Sequence, residues 1–384
     1  HRLRQAPRPV QGGAIVPFMR APVPDPSPSP AAPRRARELG LAIGDLPTGP
    51  HNALTDVPGI RVGHTTLIRP PRVHSGVTAI VPEGVGPAAP LPAGVFAGNG
   101  YGKLIGTTQI AELGVLETPI LLTSTLSAFR AADALVGWML ERPEGADARS
   151  LNPVVGECND GLLSDIRSRP VREEHVRAAL DTATDGPVAE GSVGAGTGTC
   201  ALGFKSGIGT SSRRLRLAQR EATLGVLVQA NFGGTLRLLG RTLTPADAGL
   251  STSETASETA SETAPDSAQE PAPDTGSCMI VAATDAPLDA RQLTRLARRA
   301  VYALGRVGAA YGHGSGDYGL AFGTRPPGAF AAVPDQELDP LFGAVLDAVE
   351  EAVLNSLLTA TTTTGPYGDT RHPLPAAPLL ALLR

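Results

Sequence analysis

Short apolar runs separated by Gly/Pro turns dominate the chain from "LAIGDLPTGPHNALTDVPGIRVGHTTL" onward. "GVTAIVP" (76–82) and "TPILLTST" (118–125) predict strands, as do residues 224–228 in "EATLGVLVQANFGG", which run into Asn231 and a glycine turn. "SAFRAADALVGWMLERP" has a helical period, with Ala131, Leu135, Trp138 and Met139 on one face. The pattern then lapses. Residues 251–275, "STSETASETASETAPDSAQEPAPDT", carry "SETA" at 253, 257 and 261 and too little apolar surface to offset the entropy of ordering them. From Ser277 the pattern resumes with a buried-strand signature, "CMIVAAT".

A helix follows in "DAPLDARQLTRLARRAVYALGRVG", with Asp289 as N-cap and Gln292 completing a capping box. Leu293, Leu296, Ala300, Val301 and Leu304 form its apolar stripe. Beyond the glycine-rich "YGHGSGDYG", read as a turn, come a strand "LAFGT" and a helix "LFGAVLDAVEEAVLNSLL". Strands and amphipathic helices alternate on both sides of the polar tract. The expectation is one α/β layered domain, 38–250 plus 277–384, interrupted by a flexible linker at 251–276 and preceded by a disordered Pro-rich arm at 1–37.

Composition narrows the function classes. The 384 residues are 41 % hydrophobic with a net charge of −4, so no basic surplus points to nucleic acid or anionic lipid. No apolar run has the length of a membrane span, and no secretory leader is recognised. Cys158, Cys200 and Cys278 are odd in number and far apart, and the histidines form no ligand cluster. Neither a disulfide nor a metal site is expected, and a reducing, cytoplasmic location is the simpler reading. "GSVGAGTGTCALGFKSGIG" is glycine-rich but lacks the order of a phosphate-binding loop, which leaves close backbone approach as the use of its glycines.

The Gly276–Ser277 step admits two readings: the plain end of a linker, or a self-cleavage site. In the second, Gly276 leaves its carbonyl uncrowded and its free φ allows strain, while Ser277 Oγ attacks that carbonyl. The ester so formed opens with water and leaves Ser277 as a new N-terminus. Its α-amine, with a pKa of about 8, can take the hydroxyl proton. Ser315 and Asp317 in "GSGDYG" are either ordinary turn residues or a proton-handling pair. Asn231 either begins a turn or donates to an oxyanion. Glu157 in "VVGECNDG" is either structural or a receptor for a substrate ammonium.

"GSCMIVAATDAPLDARQL" resembles the start of the small subunit in the DmpA/β-peptidyl aminopeptidase family. The resemblance extends over most of the chain from about residue 38, through "LTDVPGIRVGHTT", "ETPILLTSTLS", "LNPVVGECNDG", "GAGTGTCALGFKSGIGTSSR", "VLVQANFGG" and "GHGSGDYGLAF". It implies a four-layer αββα sandwich cut between Gly276 and Ser277 into two interleaved subunits, and a homo-tetramer of the cut heterodimer. The activity implied is that of a cofactor-free serine aminopeptidase, amidase or esterase with an N-terminal nucleophile. Its substrates would be small peptides, amides or esters with a free amine.

By the same resemblance Ser277 is the nucleophile, supported by Ser315 and Asp317, where many relatives carry glutamate in place of the aspartate. Asn231 belongs to the oxyanion hole, Glu157 receives the substrate ammonium, and Asn159 contacts substrate. "GECNDGLLSDI" lacks the pocket tyrosine of some relatives. Two rivals remain at this stage. One is an acyltransferase like the ornithine acetyltransferases, which share the layered fold but cut before threonine. The other is an uncut binding protein.

Overall fold

A computed structural model describes residues 34–217, 219–250, 276–326 and 333–383. The expected disordered arm, as far as residue 33, and the SETA linker, residues 251–275, lie outside the described residues. Order begins before residue 38. Ala36 is fully buried, with its N–H on Asn355 Oδ1 at 2.9 Å, and Arg35 Nε pairs with Glu190 at 2.7 Å.

Two sheets carry the architecture. The first runs in space as β1 (Ile60–Arg69), β2 (Val73–Pro82), β6 (Ile120–Ser124), β7 (Val154–Cys158) and β4 (Leu104–Ile105). The second runs as β10 (Ile208–Leu217), β11 (Arg220–Asn231), β14 (Ser277–Thr284), β15 (Gly316–Gly323), β3 (Leu91–Gly100) and β5 (Val115–Leu116). The remaining strands form short pairs, β8–β9 (Cys200–Ala201, Phe204–Lys205), β12–β13 (Leu236–Leu238, Arg241–Leu243) and β16–β17 (Thr363–Thr364, Thr370–Arg371). Helices α2 (Ala128–Leu140) and α3 (Glu173–Asp181) cover the first sheet; α4 (Ala290–Arg306) and α5 (Asp339–Leu358) cover the second. Short α1 (Thr107–Leu113) and α6 (Ala376–Leu382) flank these layers.

The core divides into three clusters, one for each interface between layers. Val77, Ala79 and Leu121 meet Leu135, Trp138 and Val176 between the first sheet and its helices. Ile80, Ile120 and Leu122 meet Leu227, Val281 and Phe322 between the sheets. Ile280 and Ala282 meet Leu293, Leu296 and Val349 beneath α4 and α5. Strand β14 shows why its sequence is apolar from Cys278 to Ala283: Cys278, Ile280 and Ala282 face helices, whereas Met279, Val281 and Ala283 face the other sheet. This is the αββα sandwich expected, and no described helix is long and apolar enough to cross a membrane.

Parallel neighbours β6 and β7 are joined through α2, and β14 and β15 through α4, so each sheet contains a βαβ unit. The capping box at the start of α4 is present: Gln292 N–H donates to Asp289 Oδ1 at 2.7 Å, and Asp289 N–H to Gln292 Oε1 at 3.1 Å. Strand β15 begins at Gly316, so Asp317, read above as a turn residue, lies in a strand. The first half of strand β10, "IGTSSR", carries no apolar alternation because it packs polar groups against α5, whereas residues 214–217 alternate exposed and buried. There Arg213 and Glu351, each with a fully buried side chain, form an ion pair at 2.8 Å, and Asn52 Nδ2 donates to the same carboxylate at 2.6 Å.

Candidate active site

Three strands of the second sheet bring distant parts of the chain together. Ser277, the first residue of β14, pairs with Asn231 at the end of antiparallel β11 and with Gly316 at the start of parallel β15. Gly316 is flanked by Ser315 and Asp317, whose side chains leave the same face of an extended chain. Ser315 Oγ donates to Asp317 Oδ1 at 3.0 Å, and both residues are buried. The Ser315 carbonyl accepts from Tyr101 N–H at 3.1 Å, and Asn99 Nδ2 holds the preceding loop through the Gly312 carbonyl at 2.6 Å.

The Gly276 carbonyl accepts from Gly316 N–H at 3.3 Å, so the carbonyl bonded to the Ser277 nitrogen already faces a backbone donor. Glycine is needed there for room. A Cβ on Gly276 would stand 2.6 Å from Phe232 Cα and 2.8 Å from the Asn231 carbonyl.

Asn231 Oδ1 accepts from Cys200 N–H at 3.1 Å. A backbone N–H only donates, so this contact fixes the orientation of the amide and turns its NH₂ into the donor end. Cys200 comes from the glycine-rich segment, where a Cβ on Gly196 would stand 2.3 Å from Ile208 N, so close backbone approach is the use of that glycine. Behind Ser277, Cys158 Sγ contacts the Ser277 carbonyl at 3.4 Å, and burial pushes that thiol's pKa up.

The first sheet supplies the facing wall. Glu157, near the end of β7, is 2 % exposed. Its Oε1 accepts from Lys103 N–H at 2.9 Å and Nζ at 3.2 Å, and its Oε2 accepts from the Thr125 hydroxyl. Residues 101–103 are the crossing from β3 in one sheet to β4 in the other. Gly102 wedges between the walls: a Cβ there would lie 3.2 Å from Gly316 Cα and 3.4 Å from Glu157 Oε1.

A cleft of about 540 Å³ opens at this crossing, lined among others by Tyr101, Lys103, Thr125, Glu157, Asn159 and Ser277, with Gly276 also on its wall. Asn159 is exposed, and its Oδ1 accepts from Gly161 N–H at 2.9 Å. Asn231, Ser315 and Asp317 stand buried beside the cleft, not on its wall.

The sequence reading missed Lys103, Thr125, Tyr101 and Asp160. Asp160 is buried between Ser75 Oγ at 2.7 Å and Ser124 Oγ at 2.8 Å. Burial first, with the nearby Glu157 charge adding, pushes its pKa up to about 6, against the pull of the two serine hydroxyls. Of these four, only Asp160 carried a signal, an acid two residues beyond a strand in "GECND".

The family model "Peptidase family S58" matches residues 52–371. Beta-peptidyl aminopeptidase BapA of Sphingosinicella microcystinivorans is 39 % identical over 371 residues, 91 % of this chain and 92 % of that one. The solved β-aminopeptidase of a Burkholderia species is 39 % identical with a TM-score of 0.76, covering 91 % of this chain and 98 % of that chain. The L-aminopeptidase D-Ala-esterase/amidase from Ochrobactrum anthropi, described as a prototype serine aminopeptidase and a variant Ntn-hydrolase fold, is 37 % identical with a TM-score of 0.77, with the same shares covered. These relatives are aminopeptidases rather than acyltransferases. The chain therefore belongs to peptidase family S58 and is a hydrolase of the serine aminopeptidase kind.

Proposed function

We propose that this chain cuts itself between Gly276 and Ser277 and then releases N-terminal residues from small peptides, amides or esters through an acyl-enzyme on Ser277. The observation that carries this reading is the strand register, which sets Ser277 against Asn231 and beside Gly316 at the mouth of the Glu157 cleft.

In the first step Ser277 Oγ bonds to the Gly276 carbonyl carbon, the C–N bond breaks, and the proton passes to the nitrogen. Water then hydrolyses the ester, leaving a Gly276 carboxylate and a free Ser277 amine. The Gly316 N–H, already 3.3 Å from this carbonyl oxygen, stabilises the charge that develops there. In turnover the new α-amine accepts the Oγ proton as Ser277 attacks substrate. Asn231 Nδ2 holds the oxyanion. Ser315, held by Asp317 at 3.0 Å, passes or steadies the proton given to the leaving amine.

Glu157 receives the substrate ammonium. An N-acylated substrate forgoes the charge-assisted hydrogen bond that a free ammonium would make to Glu157, which accounts for action at a free N-terminus. Asn159 contacts the substrate from the rim. The same reading carries a tetramer of cut heterodimers and a cytoplasmic setting, the latter supported by three free thiols.

Comparing β-alanyl and L-alanyl p-nitroanilides with their N-acetyl forms tests the reading. Turnover should require the free amine, and Glu157→Gln should raise KM by at least tenfold. Equal turnover of the acetylated forms would overturn it. An amino-acid acceptor that captures the acyl group in preference to water would restore the acyltransferase rival.

A further inference from the structure

The carboxylate assigned to the substrate ammonium already has a cation. Lys103 Nζ lies 3.2 Å from Glu157 Oε1, and the lysine side chain is 37 % exposed while that of Glu157 is 2 % exposed. Both residues line the cleft that holds Ser277, and among the described residues no other on its wall carries a side-chain charge. The binding wall is thus itself a zwitterion. A substrate bearing only an ammonium places two cations on one buried carboxylate. A substrate with an ammonium and a carboxylate on one carbon instead exchanges partners, its ammonium going to Glu157 and its carboxylate to Lys103. All four charges are then paired.

We propose that the cleft is built for β-aspartyl groups, that is, aspartate joined through its side-chain carboxyl to the amine of a peptide or amide. This rests on the aminopeptidase reading and names a substrate class for it. In a β-aspartyl group one CH₂ separates the carbon bearing the ammonium from the acyl carbon, the same spacing as in any β-aminoacyl group. The free α-carboxylate occupies the position of that residue's side chain. Hydrolysis at Ser277 adds water across the amide C–N bond and yields aspartate and the free amine. Thr125 keeps its hydrogen bond to the far oxygen of Glu157 throughout, so the carboxylate need not turn when Lys103 lets go.

Steady-state kinetics of the processed protein decide the matter with three p-nitroanilides: β-aspartyl, its α-carboxamide analogue, and β-alanyl. The wild type should favour the carboxylate over the carboxamide by roughly 10- to 100-fold in kcat/KM, the range for a charge-assisted hydrogen bond. Lys103→Met keeps the apolar stem of the lysine and removes its charge. It should bring that ratio close to one by raising KM for the aspartyl substrate, while lowering KM for β-alanyl because the competing cation is gone.

A wild type that cleaves β-alanyl yet shows no preference for the carboxylate overturns the proposal and leaves the aminopeptidase reading standing. So does Lys103→Met slowing all three alike, since Lys103 would then serve only to hold Glu157. If the variant does not fold, the wild-type carboxylate-to-carboxamide ratio decides alone. Processed protein that turns over L-alanyl p-nitroanilide but none of the three overturns the proposal alone; protein that turns over no aminoacyl anilide removes both readings.

Discussion

Replacing Gly276 by alanine adds a single methyl group at the most crowded backbone crossing of the site. The new Cβ would stand 2.6 Å from Phe232 Cα, 2.8 Å from the Asn231 carbonyl and 3.2 Å from Gly233 N. Carbon atoms pack at about 3.5–4.0 Å, so the two strands must part by about 1 Å. All three contacts are backbone, so no side chain can swing away to relieve them. The Asn231–Ser277 pair is the last rung of this ladder, and the displacement falls on the Gly276 carbonyl and the groups aimed at it. A misplacement of about 1 Å at a reacting centre costs about 100-fold in rate. Overpacking of this kind costs about 1–3 kcal/mol in stability.

The assay is a denaturing-gel time course of chain cleavage in purified protein, paired with a urea melt. Gly276→Ala should process at least about 100-fold more slowly than wild type while remaining folded. Gly343→Ala is the control: that glycine lies on the exposed side of α5, with nothing within 4 Å of its ideal Cβ. It should process normally and gain about 0.5–1 kcal/mol. Cleavage of Gly276→Ala at the wild-type rate would refute the steric reasoning, because the strands would then tolerate the methyl without moving the carbonyl.

Asn231→Ala should lower kcat by about 10²–10³-fold on aminoacyl anilides with the chain still folded, as expected for loss of an oxyanion donor; an unchanged kcat would remove Asn231 from that role. Glu351→Ala leaves the Arg213 guanidinium buried without its carboxylate, and urea denaturation should show a loss of about 3–5 kcal/mol. Asp160 gives a pH signature. Its folded pKa of about 6 lies above the ordinary aspartate value of 3.8, so over that interval the folded state holds more protons than the unfolded one. Stability therefore falls as pH rises from about 4 to 7, by an amount on the order of 2–3 kcal/mol, and Asp160→Asn should lose that slope when the two proteins are compared at pH 4.5 and 7.

Much of the fold was legible because its central elements obey simple periods. Strand β14 is apolar at every position from Cys278 to Ala283 because it is covered on both faces, and α4 announces itself through Asp289, Gln292 and a clean stripe. The first half of strand β10 was not legible. Its Thr210, Ser211, Ser212 and Arg213 are buried by polar partners that come from far along the chain, and no local pattern encodes Glu351. Within the site, Ser277, Asn231, Ser315, Asp317 and Glu157 were reached by resemblance; their side chains alone left turn and linker readings open. The structure supplied what spacing cannot, namely a register that makes neighbours of residues 231, 277 and 316. Lys103 and Thr125 escaped notice because a lysine in a glycine turn and a threonine after a strand are ordinary until Glu157 is placed between them.

The central claim is that the hydroxyl of Ser277 comes to lie beside its own free amine. N-terminal sequencing of the smaller chain in active, purified protein tests it most directly. The account predicts a fragment that begins Ser-Cys-Met-Ile and a Ser277→Ala variant that stays whole and inactive. Active protein that runs as one unbroken chain, or a fragment that begins at any other residue, would contradict it.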